Sequence, residues 1–319
     1  MSQPSAIPPL DVVGLGLATL DVLVRQDDMP TWEHGGRFSQ LAFDGGGPVA
    51  TAMVAAARLG LRAGYVGTAG NDQIGSLKMA SLSDNGVDTS RVTVHDSDER
   101  QIVICYVREE DGERVFSGCR GLRRDMLRPE QLDRAYVTAA PFLHLDGFHY
   151  DAAIQAAQWA REAGVTVVYD GHKRGEAHAT KETLALVSLV DILIGGAHCA
   201  QSLTGTDDIE QACRAALSLG PRVVVQTEGE QGSYTATAER FFHTPPFSVD
   251  VVDTTGAGDV FHGAYIVGLH HGWPRERIAR FATAVSAITC THLGGRHGIP
   301  TFDQTMAFLK DHDQNTGDT

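Results

Sequence analysis

The sequence predicts an α/β fold with a mostly parallel central sheet, helices on both faces and a small antiparallel β lid. Three observations carry that expectation. Short apolar runs alternate with helical patterns over most of the 319 residues, and this spacing suits repeated strand–helix–strand units. Two segments alternate polar with apolar residues instead, as half-exposed strands do. Neither an internal repeat nor a low-complexity region interrupts the chain, so residues 1–319 read as a single domain, with lid segments near 20–43 and 100–120.

Taken in order, residues 12–17 read as the first strand. Residues 37–43, RFSQLAF, belong to the lid by their alternation. Residues 49–59, VATAMVAAARL, are Ala-rich and helical, closed by Gly60, because glycine readily takes the left-handed conformation that ends a helix. A strand follows at 63–68. Residues 101–116, QIVICYVREEDGERVF, carry Glu-Asp-Gly at their turn, a hairpin signal. This hairpin reads either as an ordinary sheet edge or as a lid over a site. Further strands are expected at 142–145, 165–169, 192–194 and 223–227, with helices at 152–163, 181–189 and 209–219. Residues 249–252 read as an extended approach to a further helix. The polar tail, 310–319, is expected to fray.

Composition narrows the partners. Hydrophobic residues at 42% provide for a large core, and a formal charge of −14 argues against a nucleic-acid or anionic-membrane partner. Five scattered cysteines without a C-x-x-C pair argue against a disulfide framework or zinc site, and fit a reducing cytoplasm. The first residues lack the basic and apolar regions of a signal peptide, and no stretch is apolar for the ~18 residues of a membrane span. The expectation is a soluble cytoplasmic protein.

The stretch VVDTTGAGDVFHGAY, residues 251–265, carries the chemistry. Gly256, Ala257 and Gly258 precede an apolar helix and offer backbone N–H groups with no bulky side chain in the way. At a helix N-terminus such donors are unpaired and the dipole is positive, which suits an anion. A carboxylate there, Asp259, is either a plain cap or a general base beside a bound phosphate. The second reading fits phosphoryl transfer to a hydroxyl: N–H groups steady the charge of the transferred phosphate while the carboxylate takes the alcohol's proton.

Asp-Thr-Thr-Gly-Ala-Gly-Asp, with Gly45-Gly46-Gly47-Pro48 leading into VATAMVAAARLG far upstream, resembles the paired signatures of the PfkB (ribokinase-like) family of carbohydrate kinases. The resemblance covers nearly the whole chain and implies a ribokinase-like fold with ATP as donor and Mg2+ as its companion. It further implies that Asp259 is the catalytic base and that Gly256, Ala257 and Gly258 form the anion hole. Asp21 would accept hydrogen bonds from acceptor hydroxyls, and Gly46 and Gly47 would be hinge glycines beside the sugar. Thr51 stands where ribokinases place a sugar-binding Asn. Thr227, Gly229 and Gly232 match a nucleotide loop, while Arg174, in Asp170-x-His172-x-Arg174, is placed to meet phosphate or else is solvated. Asp253 and Thr255, with carbonyls near Gly294 and Gly298, match a monovalent cation site for K+. Similar kinases pair their lids, which implies a homodimer.

Within the family the chain looks towards ketose kinases and the sulfofructose kinases, through Gly-Gly-Gly-Pro-x-Ala-Thr-Ala and the Gly-Gly-Arg-x-Gly-Ile-Pro segment at 294–300. Two departures matter. Residues 195–200, GGAHCA, lack the Asn-x-x-Glu that helps organise magnesium in many members. An Arg expected after the strand at 142–145 for an anionic acceptor is replaced by Asp146-Gly147-Phe148-His149, leaving Arg120, Arg123 and Arg124 on the lid side as candidates. The acceptor is therefore expected to be a small sugar, a ketohexose or derivative, with sulfofructose, a sugar phosphate or a nucleoside as alternatives. Gly14-Leu15-Gly16 offers a dinucleotide-binding reading, but Thr19 stands where its third glycine should be. A non-catalytic sugar-binding regulator on the same fold is the remaining alternative.

Overall fold

The computed structural model describes residues 7–110, 113–171 and 179–315. Its first part comprises β1 (Val12–Leu15), β2 (Thr19–Gln26), β3 (Gln40–Gly46), α1 (Pro48–Arg58), β4 (Ala63–Val66), β5 (Thr68–Gly70), α2 (Gln73–Ser83), β6 (Thr93–His95), β7 (Ile102–Arg108) and β8 (Arg114–Gly118). There follow α3 (Arg134–Val137), β9 (Phe142–Leu145), α4 (Tyr150–Ala163), β10 (Thr166–Asp170), α5 (Lys181–Val187), β11 (Ile192–Gly195), α6 (Cys199–Thr204), α7 (Ile209–Leu217) and β12 (Val223–Thr227). The chain continues through β13 (Ser233–Ala236), β14 (Phe241–Thr244), α8 (Ala257–His270), α9 (Arg275–Thr289) and α10 (Phe302–Asn315).

Eight strands form the main sheet in the order β14-β13-β12-β11-β10-β9-β1-β4, and only the β13 and β14 edge is antiparallel. The parallel strands are apolar runs buried on both faces, the pattern that helices on both sides of a sheet demand. Successive residues divide between the two layers. Val12, Val168 and Ile192 pack with α1, α8 and α9, whereas Val13, Val167 and Leu193 pack with the alanine face of α4 and with α7. Gly164 ends α4 at φ 73°, which an L side chain resists.

The second sheet has the order β3-β2-β7-β8. Its two hairpin-like pairs are antiparallel, but β2 and β7 run parallel, so the small sheet expected as a lid is mixed rather than purely antiparallel. The reason is that β2 leaves the first strand directly and meets β7 only after a long excursion through α1 and α2. Part of the Glu-Asp-Gly turn lies outside the described residues. The alternation sorts the lid's faces: Asp21, Leu23, Cys105 and Arg114 lie on one, and Val22, Val24, Leu41, Phe43, Ile104, Tyr106 and Val115 on the other. At its base, fully buried Lys78 on α2 donates to Thr68 O at 2.9 Å and to Gln101 Oε1 at 2.8 Å, and pairs with Glu99. β5 and β6 form a small separate pair.

Of the tail expected to fray from residue 310, the part up to Asn315 remains helical, because Phe302, Met306 and Leu309 recur at helical spacing and pack on the core; residues 316–319 lie outside the described residues. Among the described residues no helix is long and apolar enough to cross a membrane.

Candidate active site

Gly256 caps α8 at φ 73°, and a Cβ there would lie 2.9 Å from the backbone of Gly295. Both the turn and the close approach require glycine. Ala257, Gly258 and Asp259 therefore form the first turn of α8, where backbone donors lack helical partners. A Cβ on Gly258 would meet nothing within 4 Å, so the turn faces open space. That space is a cavity of about 920 Å³ whose walls join Thr227, Gly229 and Gly232 to Thr254, Ala257 and Gly258. Gly229 and Gly232 both have positive φ, 55° and 82°, and bracket a single 3₁₀ turn between β12 and β13. Residues 249–252 form no strand; Val249 and Val251 line the same cavity.

Opposite stand β2, β3 and the start of α1. Asp21 is a strand residue, neither turn nor cap, and its Oδ1 accepts the Thr19 hydroxyl at 2.6 Å. A Cβ on Gly46 would fall 2.2 Å from Asp21 Oδ2, and Gly47 adopts φ 90° against the Leu17 carbonyl. Gly46 lets the backbone press against the carboxylate, and Gly47 lets it press against the Leu17–Ala18 backbone. Thr51 is buried, and its hydroxyl accepts from Arg296 Nε at 3.2 Å. Arg296, in the Gly-Gly-Arg-x-Gly-Ile-Pro segment, is 3% exposed, and no local pattern marks it as buried. Its Nη2 donates to Gly46 O at 2.8 Å, its Nη1 to Ser81 Oγ at 2.9 Å, and its backbone N–H to Asp44 Oδ2.

The two sides share one electrostatic field. Burial holds the Asp259 carboxyl well above the ordinary carboxylate range; Asp170 raises it further, Arg296 opposes, and Asp146 and Asp21 add to the rise. Burial likewise pushes Asp21 up to about 6, against the Thr19 bond and Arg296. Asp170, at the end of β10, lies 3.8 Å from His262 Nε2, one turn beyond Asp259 on α8. The His262 ring stands 5.2 Å from that of His144, whose pKa burial lowers to about 3. His144 is neutral at physiological pH.

Where an Arg was expected after β9, Asp146 serves the backbone: its Oδ2 accepts the Leu17 N–H and its Oδ1 the Phe148 N–H, each at 2.8 Å. It pins the turn from β1 into β2. The Gly14-Leu15-Gly16 turn thus leads into a strand rather than a helix, which removes the dinucleotide-binding reading. Arg123 lies over the Phe148 ring at 4.8 Å. Arg174 lies outside the described residues.

Asp253 and Thr255 come together as expected, but around an arginine. Nη1 of Arg114, on β8, donates to Asp253 Oδ1 and to Thr255 Oγ1, and Nη2 donates to Thr254 Oγ1. Burial pushes the Asp253 carboxyl up, but the Gly294 and Thr255 donors and Arg114 outweigh it and hold it low. Among the described residues no group of three or more His, Cys, Asp or Glu side chains is arranged to hold a metal ion.

The model of the pfkB family of carbohydrate kinases matches residues 10–302. The chain belongs to that family. It is an ATP-dependent sugar kinase. An ATP-dependent ribose-1-phosphate kinase from Halopiger xanaduensis is 30% identical over 94% of this pfkB chain and 98% of its own length. Fructokinase-1 from Oryza sativa subsp. japonica is 31% identical over 83% and 88% respectively. Arabidopsis thaliana ribokinase complexed with ribose and ATP shares the ribokinase-like fold, with a TM-score of 0.82 and 24% identity over 95% of this chain and 99% of that one.

Proposed function

We propose that this pfkB kinase transfers the γ-phosphate of ATP to a primary hydroxyl of a small sugar, a ketohexose or close derivative, with Asp259 as general base. One observation supports the reading: Asp259 lies in the first turn of α8, whose Ala257 and Gly258 line a cavity shared with Thr227, Gly229 and Gly232, and its carboxyl feels the charges of Asp21 and Arg296. On this reading Asp21 holds acceptor hydroxyls, Gly46 and Gly47 let the sugar lie close, and Asp259 takes the proton of the attacking hydroxyl. The N–H groups of Gly256, Ala257 and Gly258 meet the charge on the transferred phosphoryl group. Thr227, Gly229 and Gly232 hold the nucleotide, whose size the cavity accommodates. Magnesium, when bound with the nucleotide, would neutralise the charge of adjacent phosphates; among the described residues no cluster of three or more His, Cys, Asp or Glu is arranged to hold it. Thr51 acts at one remove, through Arg296.

A neutral sugar is favoured because Arg296, a buried cation beside Asp21 and Asp259, directs a donor from each of its three nitrogens to protein groups at Thr51, Ser81 and Gly46. A second reading, an acceptor bearing a sulfonate or phosphate, is favoured by Arg123, whose guanidinium lies just beyond β9. ATP consumption over ketoses, aldoses, sugar phosphates, sulfosugars and nucleosides separates them. A nucleoside that outperforms every sugar by specificity constant overturns the proposal, and inactivity towards all acceptors favours a sugar-binding regulator. Asp259→Asn should lower kcat about 100- to 10,000-fold while ATP and sugar still bind. Turnover within a few-fold of wild type would remove Asp259 from the base role.

A further inference from the structure

The family resemblance sets a monovalent cation against Asp253 and Thr255, and the side chains there do not fit one. Asp253 Oδ1 accepts the Thr255 N–H at 2.8 Å and the Thr255 hydroxyl at 2.7 Å, while Oδ2 accepts the Gly294 N–H at 2.9 Å. Nη1 of Arg114 also donates to Oδ1 and lies 3.0 Å from Thr255 Oγ1, and Nη2 reaches Thr254 Oγ1. A carboxylate oxygen offers about two lone-pair positions. Oδ1 is already filled, and a metal cation beside it would meet the charge of the guanidinium. The Asp253 side chain is 1% exposed, so its charge needs a partner, and Arg114 is that partner.

We propose that Arg114 replaces the loose monovalent cation in this kinase and positions the Asp253–Thr255 turn that leads into the anion hole. The inference rests on the phosphoryl-transfer reading above, and it makes the enzyme independent of K+. Arg114 is a positioning residue: it acts through Asp253, Thr254 and Thr255 on the N–H groups at Gly256, Ala257 and Gly258. Because it stands on lid strand β8, the charge reaches the turn from the lid, so the order of the anion hole depends on lid placement. A guanidinium suits the task, since its fork serves a carboxylate and two hydroxyls together.

The test compares the full-length protein with Arg114→Gln and Arg114→Lys in KCl, NaCl and choline chloride at equal ionic strength. Wild-type turnover should agree across the three salts within about twofold, and its Tm in KCl should match that in choline. Arg114→Gln should lose about tenfold or more in choline and regain part of it with K+ or added guanidinium, with a Tm that now rises in KCl. Arg114→Lys, which retains a point charge, should lose less than Arg114→Gln. Wild-type turnover that climbs several-fold with K+ overturns the proposal. So does an Arg114→Gln loss of equal size in every salt, which would put Arg114 on the ATP phosphates or in lid folding alone. Should the wild type turn over no sugar in any salt, the phosphoryl-transfer reading fails instead, and the Tm series still decides whether this site takes a cation.

Discussion

At the scale of single residues, Asp259 is held between opposing influences, and its titration should be visible in the rate. Helix α8 presents its N-terminus to the carboxylate, which favours the charge, yet burial and the neighbouring Asp170 outweigh that and raise the pKa. A protonated carboxyl cannot accept the alcohol's proton, so kcat should rise as pH climbs through the Asp259 pKa, with an acid limb above the ordinary carboxylate range. Asp170→Asn removes the like charge that helps hold this pKa up. The limb should therefore move to lower pH in the variant, measured on kcat at saturating ATP and sugar. A limb that stays put, or moves upward, would show that Asp170 does not act on Asp259. Asp259, the proposed base, and both glycine clusters are legible because each is written in a contiguous motif. Arg296 and Arg114 are not: they find Thr51 and Asp253 across 245 and 139 residues of chain, and nothing local marks either arginine as buried or paired.

At the scale of elements, periodicity served well where one rule governed. Strands covered on both faces are continuous apolar runs, and the helices between them expose their alanine faces in sequence; both were read in place. Strand β2 is harder to read, since TLDVLVRQ interrupts its apolar character with Asp21 in mid-strand. Its parallel pairing with β7 is a long-range event that alternation cannot report. The turn after β12 carries a testable consequence. Gly229 has φ 55°, and a side chain there would enter open space, so no clash forbids one, but a β-branched residue resists this backbone geometry. Gly229→Val should therefore fold, yet shift the turn that lines the cavity. The KM for ATP should rise roughly tenfold, equivalent to about 1.4 kcal/mol, with the sugar KM nearly unchanged. If only the sugar constant moves, this loop does not serve the nucleotide.

At the scale of the whole molecule, the small sheet exposes large apolar side chains on both of its edge strands. Its outward face carries half-buried Val22, Ile104 and Tyr106 in the centre, flanked by exposed Leu41 and Phe43 on one edge strand and Val115 on the other. Phe43 is 56% exposed and Val115 61%. Cross-strand register gathers these residues into one patch, the kind of surface that marks an interface. Both edges, β3 and β8, also end the sheet with unpaired strand backbone, which proteins ordinarily cover. A second copy of the chain meets both needs, because two identical patches related by a twofold axis are complementary to themselves. The opposite face of this sheet holds Asp21 and Arg114, so such a contact would set the sheet's placement beside the candidate site. We therefore predict a homodimer joined through the lids, with twice the 34.2 kDa chain mass by light scattering at micromolar concentration. Phe43→Asp should yield monomers that retain the main sheet by circular dichroism but turn over more slowly, since the lid loses its support. A monomeric wild type at those concentrations, or a Phe43→Asp dimer with unchanged mass, would mean that the patch is covered in some other way.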